Sequence, residues 1–544
     1  MLGVSMLIIG VCGISYEYTF SKMASDILGD SVKQWSVIIG LMMLFMGVGA
    51  DLQKYLPDRY LVDGFIGFEI LLGLLGATGP TIILWAFGAF HDHFILIHYF
   101  FICSVGFLIG LEIPLLTRVN HFMAPSLKRN LGMILKMDYI GSFLGALVWV
   151  FFLPKFLNLL EIGYFLGILN LMVALVAWVW LRDSMWFPKR IVLFCLLSLF
   201  ILILGLISGE KITLSLEQKL YRDPIIFQKT TPYQHIVVTK KRSGEIYFYI
   251  NGHLQFSGYD EHIYHEMLVH PVMSAAGKRE NILVLGGGDG LAVREILRYP
   301  DVKNITLVDL DPAVTDLAKS LPELVRLNQK SLLDPRVDLV EAKGVTPGEE
   351  IGLLERGRGF FRRQKTTRQT KVHVINLDAY TFLDNVAGIY DVIILDFPDP
   401  NHIALSKLYS LEFYSLIKDR LAVDGLLIQQ SSSPVFAKEV FLMIGRTMKA
   451  AGLSVLSLHH NVPSFGDWGW WIGSHRERFS EAGLKKLISG LSGLPEEVRY
   501  ITPELIKSSL VFGKDFMPGR NQEINRILDD RIFQIYINAW KHAQ

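Results

Sequence analysis

Acidic residues placed just beyond short apolar runs are the side chains of this 544-residue chain whose types and spacing could do chemistry. Asp309 and Asp311 follow the run Ile305 to Val308, Asp378 follows Val372 to Asn376, and Asp396 follows Asp391 to Leu395. Asp289 sits inside the glycine run Gly286 to Gly290. Three tasks suit such carboxylates: gripping ribose hydroxyls, holding a cationic group and taking a proton from one. A single aspartate after a strand is more often a helix N-cap, and Asp311 before Pro312 is read that way. Asp289, Asp309, Asp378 and Asp396 at successive strand ends are harder to assign to capping alone.

Each acid needs a strand to deliver it. Ile282 to Leu285 reads as a short buried strand, GGGDG as the turn after it, and Leu291 to Tyr299 as the helix that follows. Glycines such as Gly286 and Gly288 let a ligand approach the backbone and the helix N-terminus. Asp309 lies at the spacing, about 20 residues on, of an acid that holds a ribose. In a doubly wound sheet, ligands bind at the carboxyl ends of parallel strands, which sends all four acids to one crevice. Upstream, His235 to Thr239 and Ile246 to Ile250 flank a Ser243-Gly244 turn. The expected fold of this half is a small β module followed by an α/β Rossmann-like domain of the class I methyltransferase type.

The N-terminal half is different in composition. Seven apolar runs lie near residues 4 to 20, 35 to 50, 62 to 87, 94 to 116, 138 to 154, 160 to 181 and 191 to 208, each near the length that crosses a bilayer. The first lacks a basic n-region and a small-residue cleavage site, so it reads as a retained span. The expected division is an all-α transmembrane helical bundle at 1–209, the β module at 210–275 and the catalytic domain at 276–544. Glu17, Glu69, Glu112 and Asp138 fall within or at the ends of spans, where a carboxylate needs a partner such as Arg118, a helix end or a wet cavity. Cys12, Cys103 and Cys195 form no CxxC pair and no disulfide framework. The net charge of +1 averages two unlike halves, and no nucleic-acid partner is expected.

The stretch VLGGGDGLAVREILRYPDVKNITLVDLDP, with YDEHIYHEMLVHP before it, resembles the spermidine synthases, the polyamine aminopropyltransferases, in a membrane-fused form; the similarity spans roughly residues 230 to 475. The resemblance implies decarboxylated S-adenosylmethionine as co-substrate, with no further cofactor and no metal. It implies Asp309 on the ribose, Asp378 near the adenine, Gln234 beside the nucleoside and Asp289 on the aminopropyl ammonium, with Gly286 and Gly288 in the binding turn. Tyr264 and His265 match substrate-lining positions, Gln430 a polyamine-lining glutamine, and DFPDP the family's DxxDP motif. Asp396 is then the general base and Asp399 the residue holding the amine. Physical chemistry agrees: an acid beside the glycine turn repels the carboxylate of intact S-adenosylmethionine, and an amine titrating near 10.4 arrives protonated. His262, His265 and His270 are suggestively spaced for a metal, but His270-Pro271 reads as a helix terminus.

The sequence departs from the family in the closing stretch VPSFGDWGWWIGS, which has no tyrosine, leaving Phe465 or Trp468 to line the acceptor site. Similar wording occurs in plant thermospermine synthases, so spermidine, spermine and thermospermine formation all remain open. Phe397-Pro398 stands where the family usually has a serine pair. The basic loop 356–371 is expected either to contact anionic lipid or to be a solvated insertion. Basic residues in 118–136 and 182–190 put both loops in the cytoplasm, whereas seven spans put the C-terminal half outside. A cytosolic co-substrate decides for a multi-pass protein of the cell (inner) membrane with a cytoplasmic catalytic domain. A homo-oligomer is expected by analogy. The alternatives are a class I methyltransferase, or a membrane polyamine transporter or sensor with a binding-only domain.

Overall fold

The computed structural model describes residues 2–28, 31–90, 93–121, 127–334, 337–342, 370–386, 388–514, 516 and 522–541. The arginines and lysine from 356 to 368 in the basic loop lie outside the described residues. The chain divides into two compact units, 1–225 with 230–232, and 226–229 with 233–544.

The first unit is helical because its runs are apolar on nearly every face. Its long helices are α1 (Leu2–Leu28), α2 (Ser31–Leu52), α3 (Leu61–Ala89), α4 (Phe94–His121), α5 (Leu127–Phe151), α6 (Leu159–Leu181) and α7 (Pro188–Glu217). All seven are long and apolar enough to cross a membrane. Helix α6 opens on a reciprocal capping box between Asn158 and Glu161. Helix α7 opens on Pro188 and runs through residue 209 to Glu217. Small residues bring backbones together: a Cβ on Gly141 of α5 would lie 2.2 Å from the Leu7 carbonyl of α1, and one on Gly110 of α4 would lie 2.1 Å from the Met46 carbonyl of α2. Leu193, Phe200 and Ile207 of α7 are exposed, an apolar surface suited to hydrocarbon.

Arg118 does not serve the carboxylates within the spans. Its guanidinium donates to the Gln53 and Leu56 carbonyls, to the Gln53 side chain and to Asp58. Glu69 and Glu112 are instead buried inside the bundle, with their carboxyls next to each other. Asn170 Nδ2 donates to Glu69 Oε2 at 3.0 Å, and the Tyr16 hydroxyl donates to Asn170 Oδ1 at 3.2 Å. Polar groups from α1, α3, α4 and α6 thus gather around the acids.

The second unit begins with a four-stranded sheet in the order β1-β2-β3-β4: β1 (Ile225–Thr230), β2 (His235–Lys240), β3 (Ile246–Ile250) and β4 (His253–Ser257). The helix Glu261–Ala275 leads from it into an eight-stranded sheet, with strands β5 (Asn281–Gly286), β6 (Asn304–Asp309), β7 (Val337–Ala342), β8 (Thr370–Asn376), β9 (Tyr390–Asp396), β10 (Leu421–Gln430), β11 (Leu453–Val462) and β12 (Gly466–His475). Their order is β11-β12-β10-β9-β5-β6-β8-β7. Strands β5 to β10 run parallel, and β12 lies antiparallel to both β10 and β11. This is a doubly wound Rossmann-like sheet of the class I methyltransferase order, with β7 added at one edge. The central strands are apolar on both faces because both are covered: Ile282 and Val284 enter one core, Leu283 and Leu285 the other. The switch in strand order falls between β5 and β9.

Candidate functional site

Sheet register brings the acids to one edge. Gly286 at the end of β5 pairs with Asp396 at the end of β9, and Asp309 at the end of β6 pairs with Asn376 at the end of β8. Gly286 has φ +81°, and a Cβ there would lie 2.0 Å from the Asp396 carbonyl oxygen. A Cβ on Gly288 would lie 2.6 Å from the Asp309 carboxyl. The glycines therefore let the Asp396 backbone and the Asp309 carboxylate close on the turn, as well as leaving room for a ligand.

Backbone donors fix Asp289, Asp309 and Asp378. Asp309 accepts from the Gly288 and Asp311 amides at 2.9 and 3.0 Å, and Asp289 accepts from the Leu291 amide at 2.8 Å. Asp311 caps its helix through the Ala313 amide at 2.9 Å, as its sequence context predicts. Asp378 both caps a helix, through the Thr381 amide at 3.1 Å, and makes an ion pair with Lys407 at 2.7 Å. All four strand-end acids line one cavity of about 250 Å³, together with Gln234, Tyr264, His265, Gly286, Gly288 and Lys407.

A second cavity of about 300 Å³ shares Tyr264, Phe397 and Pro398 with the first and adds Asp399, Gln430, Phe465 and Trp468. At the boundary the Tyr264 hydroxyl donates to Asp396 Oδ1 at 2.7 Å. Asp399 accepts from Ser432 Oγ at 2.8 Å and from Gln430 Nε2 at 3.2 Å. Every residue singled out in the sequence for the site thus lines one cavity or the other, and both Phe465 and Trp468 line the second.

Burial governs the electrostatics. It pushes Asp289 up to about 7, with the His265 cation pulling the other way, and it pushes Asp309 and Asp399 up to about 6. It also raises Asp396, again opposed by His265 and by the Tyr264 hydrogen bond. Four buried acids held this way are poised to take up positive charge. Burial alone would lower the His265 imidazole, but Glu261, 2.9 Å from its Nδ1, outweighs that and raises it to about 9. Glu261 is itself fixed by a two-pronged contact with Arg294 at 2.8 and 2.9 Å. His270 does not end a helix: Pro271 lies inside Glu261–Ala275, and the imidazole bridges Tyr299 and Glu295 at 2.8 and 2.9 Å. Turning away into this ion network, it leaves the site to His265. Among the described residues, no three His, Cys, Asp or Glu side chains form a metal-ligand group.

Lys407, Ser432, Tyr536 and Trp540 also reach the cavities or their acids without having been singled out in the sequence. Lys407 and Ser432 carry no local signal. Tyr536 and Trp540 do, since Ile532, Tyr536 and Trp540 recur at helical spacing.

The spermine/spermidine synthase domain profile matches residues 261–347 and 353–485. Polyamine aminopropyltransferase of Oceanobacillus iheyensis is 36% identical, the alignment covering 98% of this chain and 96% of that one. The enzyme of that name from Leptospira interrogans is 37% identical, over 99% and 98%. Both alignments take in the helical N-terminal unit as well as the α/β unit. Spermidine synthase of Thermotoga maritima superimposes on 54% of this chain and 87% of that one, at 19% identity and a TM-score of 0.41.

Proposed function

Since the chain belongs to the spermine/spermidine synthase family, we propose that it transfers the aminopropyl group of decarboxylated S-adenosylmethionine to putrescine or a related polyamine and releases methylthioadenosine. The observation that carries this reading is Asp396, which lines a cavity edged by the glycine turn and the ribose-type acid and accepts from Tyr264, a residue shared with the adjoining cavity edged by Asp399 and Gln430.

In the first cavity Asp309 takes the ribose hydroxyls, Asp378 and Gln234 the nucleoside, and Asp289 the aminopropyl ammonium. Gly286 and Gly288 keep the turn open beneath the ligand. In the second, Asp399 and Gln430 take the distal ammonium of the amine; Tyr264, shared by both cavities, and His265, on the side of the first, line its reacting end. Asp396 accepts a proton from the reacting ammonium. The freed nitrogen lone pair forms a bond to the carbon beside the sulfonium, the carbon–sulfur bond breaks, and its electron pair returns to sulfur as neutral methylthioadenosine leaves. Holding amine and sulfonium in line across the cavity boundary supplies the orientation the displacement needs. Burial makes Asp396 a stronger base than an exposed carboxylate, and the His265 cation held by Glu261 limits the repulsion among the acids before cationic substrates arrive.

Asp289 disfavours the methyltransferase alternative, because the carboxylate of intact S-adenosylmethionine would meet a carboxylate there. The proposal extends to a multi-pass protein of the cell membrane with its catalytic unit in the cytoplasm, to contact of the basic residues in 356–371 with anionic headgroups, and to a homo-oligomer. Product mass spectrometry after incubation with decarboxylated S-adenosylmethionine and single amines tests the reaction. Equimolar methylthioadenosine and extended amine support it, and tight binding without turnover of any amine opposes it.

A further inference from the structure

The helix Arg531–Lys541 lies beyond the segment matched by the family profile, which ends at residue 485. Its Ile532 and Phe533 are fully buried and fasten it to the α/β unit. One turn on, Tyr536 and Ile537, and after a second turn Trp540, line the cavity that holds Asp399 and Gln430. The Tyr536 phenol is hydrogen-bonded to Asp399, joining Ser432 and Gln430. A carboxylate offers about four acceptor positions, so three protein donors leave about one for a ligand ammonium.

We infer that this C-terminal helix is the end wall of the amine cavity and sets the length of amine accepted, Tyr536 orienting Asp399 and Trp540 blocking the space behind it. The inference rests on the aminopropyltransferase reading above and adds the acceptor's size to it. A short diamine places its distal ammonium at Asp399, against aromatic faces that favour a cation. A longer polyamine carrying a further aminopropyl arm runs into Tyr536 and Trp540. The closing stretch from Val462 to Ser474 contains no tyrosine, and Tyr536 brings a phenol to the cavity from a different element. The protein is accordingly selective for putrescine-sized diamines over spermidine.

The test measures kcat/KM for putrescine and spermidine with the full-length protein in detergent, in the wild type and in Trp540→Ala, Ile537→Ala and Tyr536→Phe. Decarboxylated S-adenosylmethionine affinity and the thermal midpoint serve as folding controls. The wild type should prefer putrescine, and Trp540→Ala should shift the preference toward spermidine by about tenfold or more, the scale on which one methylene is discriminated in a pocket. Tyr536→Phe should raise KM for putrescine several-fold with a smaller change in kcat, because the phenol touches Asp399 and not the reacting amine. If Trp540→Ala does not fold, Ile537→Ala carries the same expectation. A preference unchanged within twofold in a folded Trp540→Ala or Ile537→Ala variant overturns the inference alone. A wild type that makes no methylthioadenosine with either amine overturns the functional reading, and this inference with it.

Discussion

Replacing Asp289 by asparagine should remove most of the pH dependence of co-substrate binding between pH 6 and 8. Burial holds this carboxyl at about 7 in the free protein, while a bound ammonium demands the ionised form. Affinity is therefore full above pH 7 and lost as pH falls through it. About nine tenths of the sites are ionised at pH 8 and about one tenth at pH 6, so decarboxylated S-adenosylmethionine should bind about tenfold more weakly at pH 6, a loss of about 1.4 kcal/mol. His265, raised to about 9, stays charged across this window and does not blur the slope. Asp309, at about 6, titrates in the same range, but methylthioadenosine shares its ribose and lacks the ammonium, so the ratio of the two affinities cancels that contribution. Isothermal titration of both ligands at pH 6, 7 and 8 gives the ratio. Asparagine mimics the protonated acid in shape and charge and cannot ionise, so the variant at pH 8 should bind the co-substrate no more tightly than the wild type does at pH 6. A flat ratio in the wild type, or an equally steep one in Asp289→Asn, would refute the assignment of this acid to the ammonium.

Two other substitutions probe the scaffold. Gly286→Ala introduces a Cβ 2.0 Å from the Asp396 carbonyl at φ +81°, so it should cost about 1–3 kcal/mol in backbone strain alone and displace Asp396. Denaturation and turnover should fall together, and normal turnover would contradict the close approach. In the helical unit, Glu112 Oε1 and Glu69 Oε1 are buried without hydrogen-bond partners. Glu112→Gln supplies an amide donor beside Glu69 and should stabilise the detergent-purified protein by about 1–3 kcal/mol; a lower thermal midpoint would contradict the observed contact.

The placement of the acids in the α/β unit was legible because they lie at strand ends. A strand that is apolar on both faces announces itself, and whatever polar residue follows it must emerge at the sheet edge; Asp309 and Asp396 were readable for that reason. The glycine run gave the turn, although only the structure showed that Gly286 and Gly288 also make room for Asp396 and Asp309. Strands β1, β4, β7, β10, β11 and β12 were not picked out; for β1 the burial explains it, since its positions are a mixture of intermediate and exposed with none buried. His270 was misread because proline usually marks a boundary, whereas here Pro271 sits in mid-helix with its neighbour drawn into an ion network. The seven apolar helices could be counted from composition, but the gathering of Tyr16, Glu69, Glu112 and Asn170 could not. Residues on four helices meet there through packing that no local pattern encodes.

The central claim is that Asp396 takes the proton that frees the amine for attack. Its most direct test is single-turnover formation of methylthioadenosine from decarboxylated S-adenosylmethionine and putrescine, comparing wild type with Asp396→Asn at saturating co-substrate. The variant should react about 10²- to 10⁴-fold more slowly, with co-substrate binding retained. Turnover by Asp396→Asn within a few-fold of wild type would contradict it.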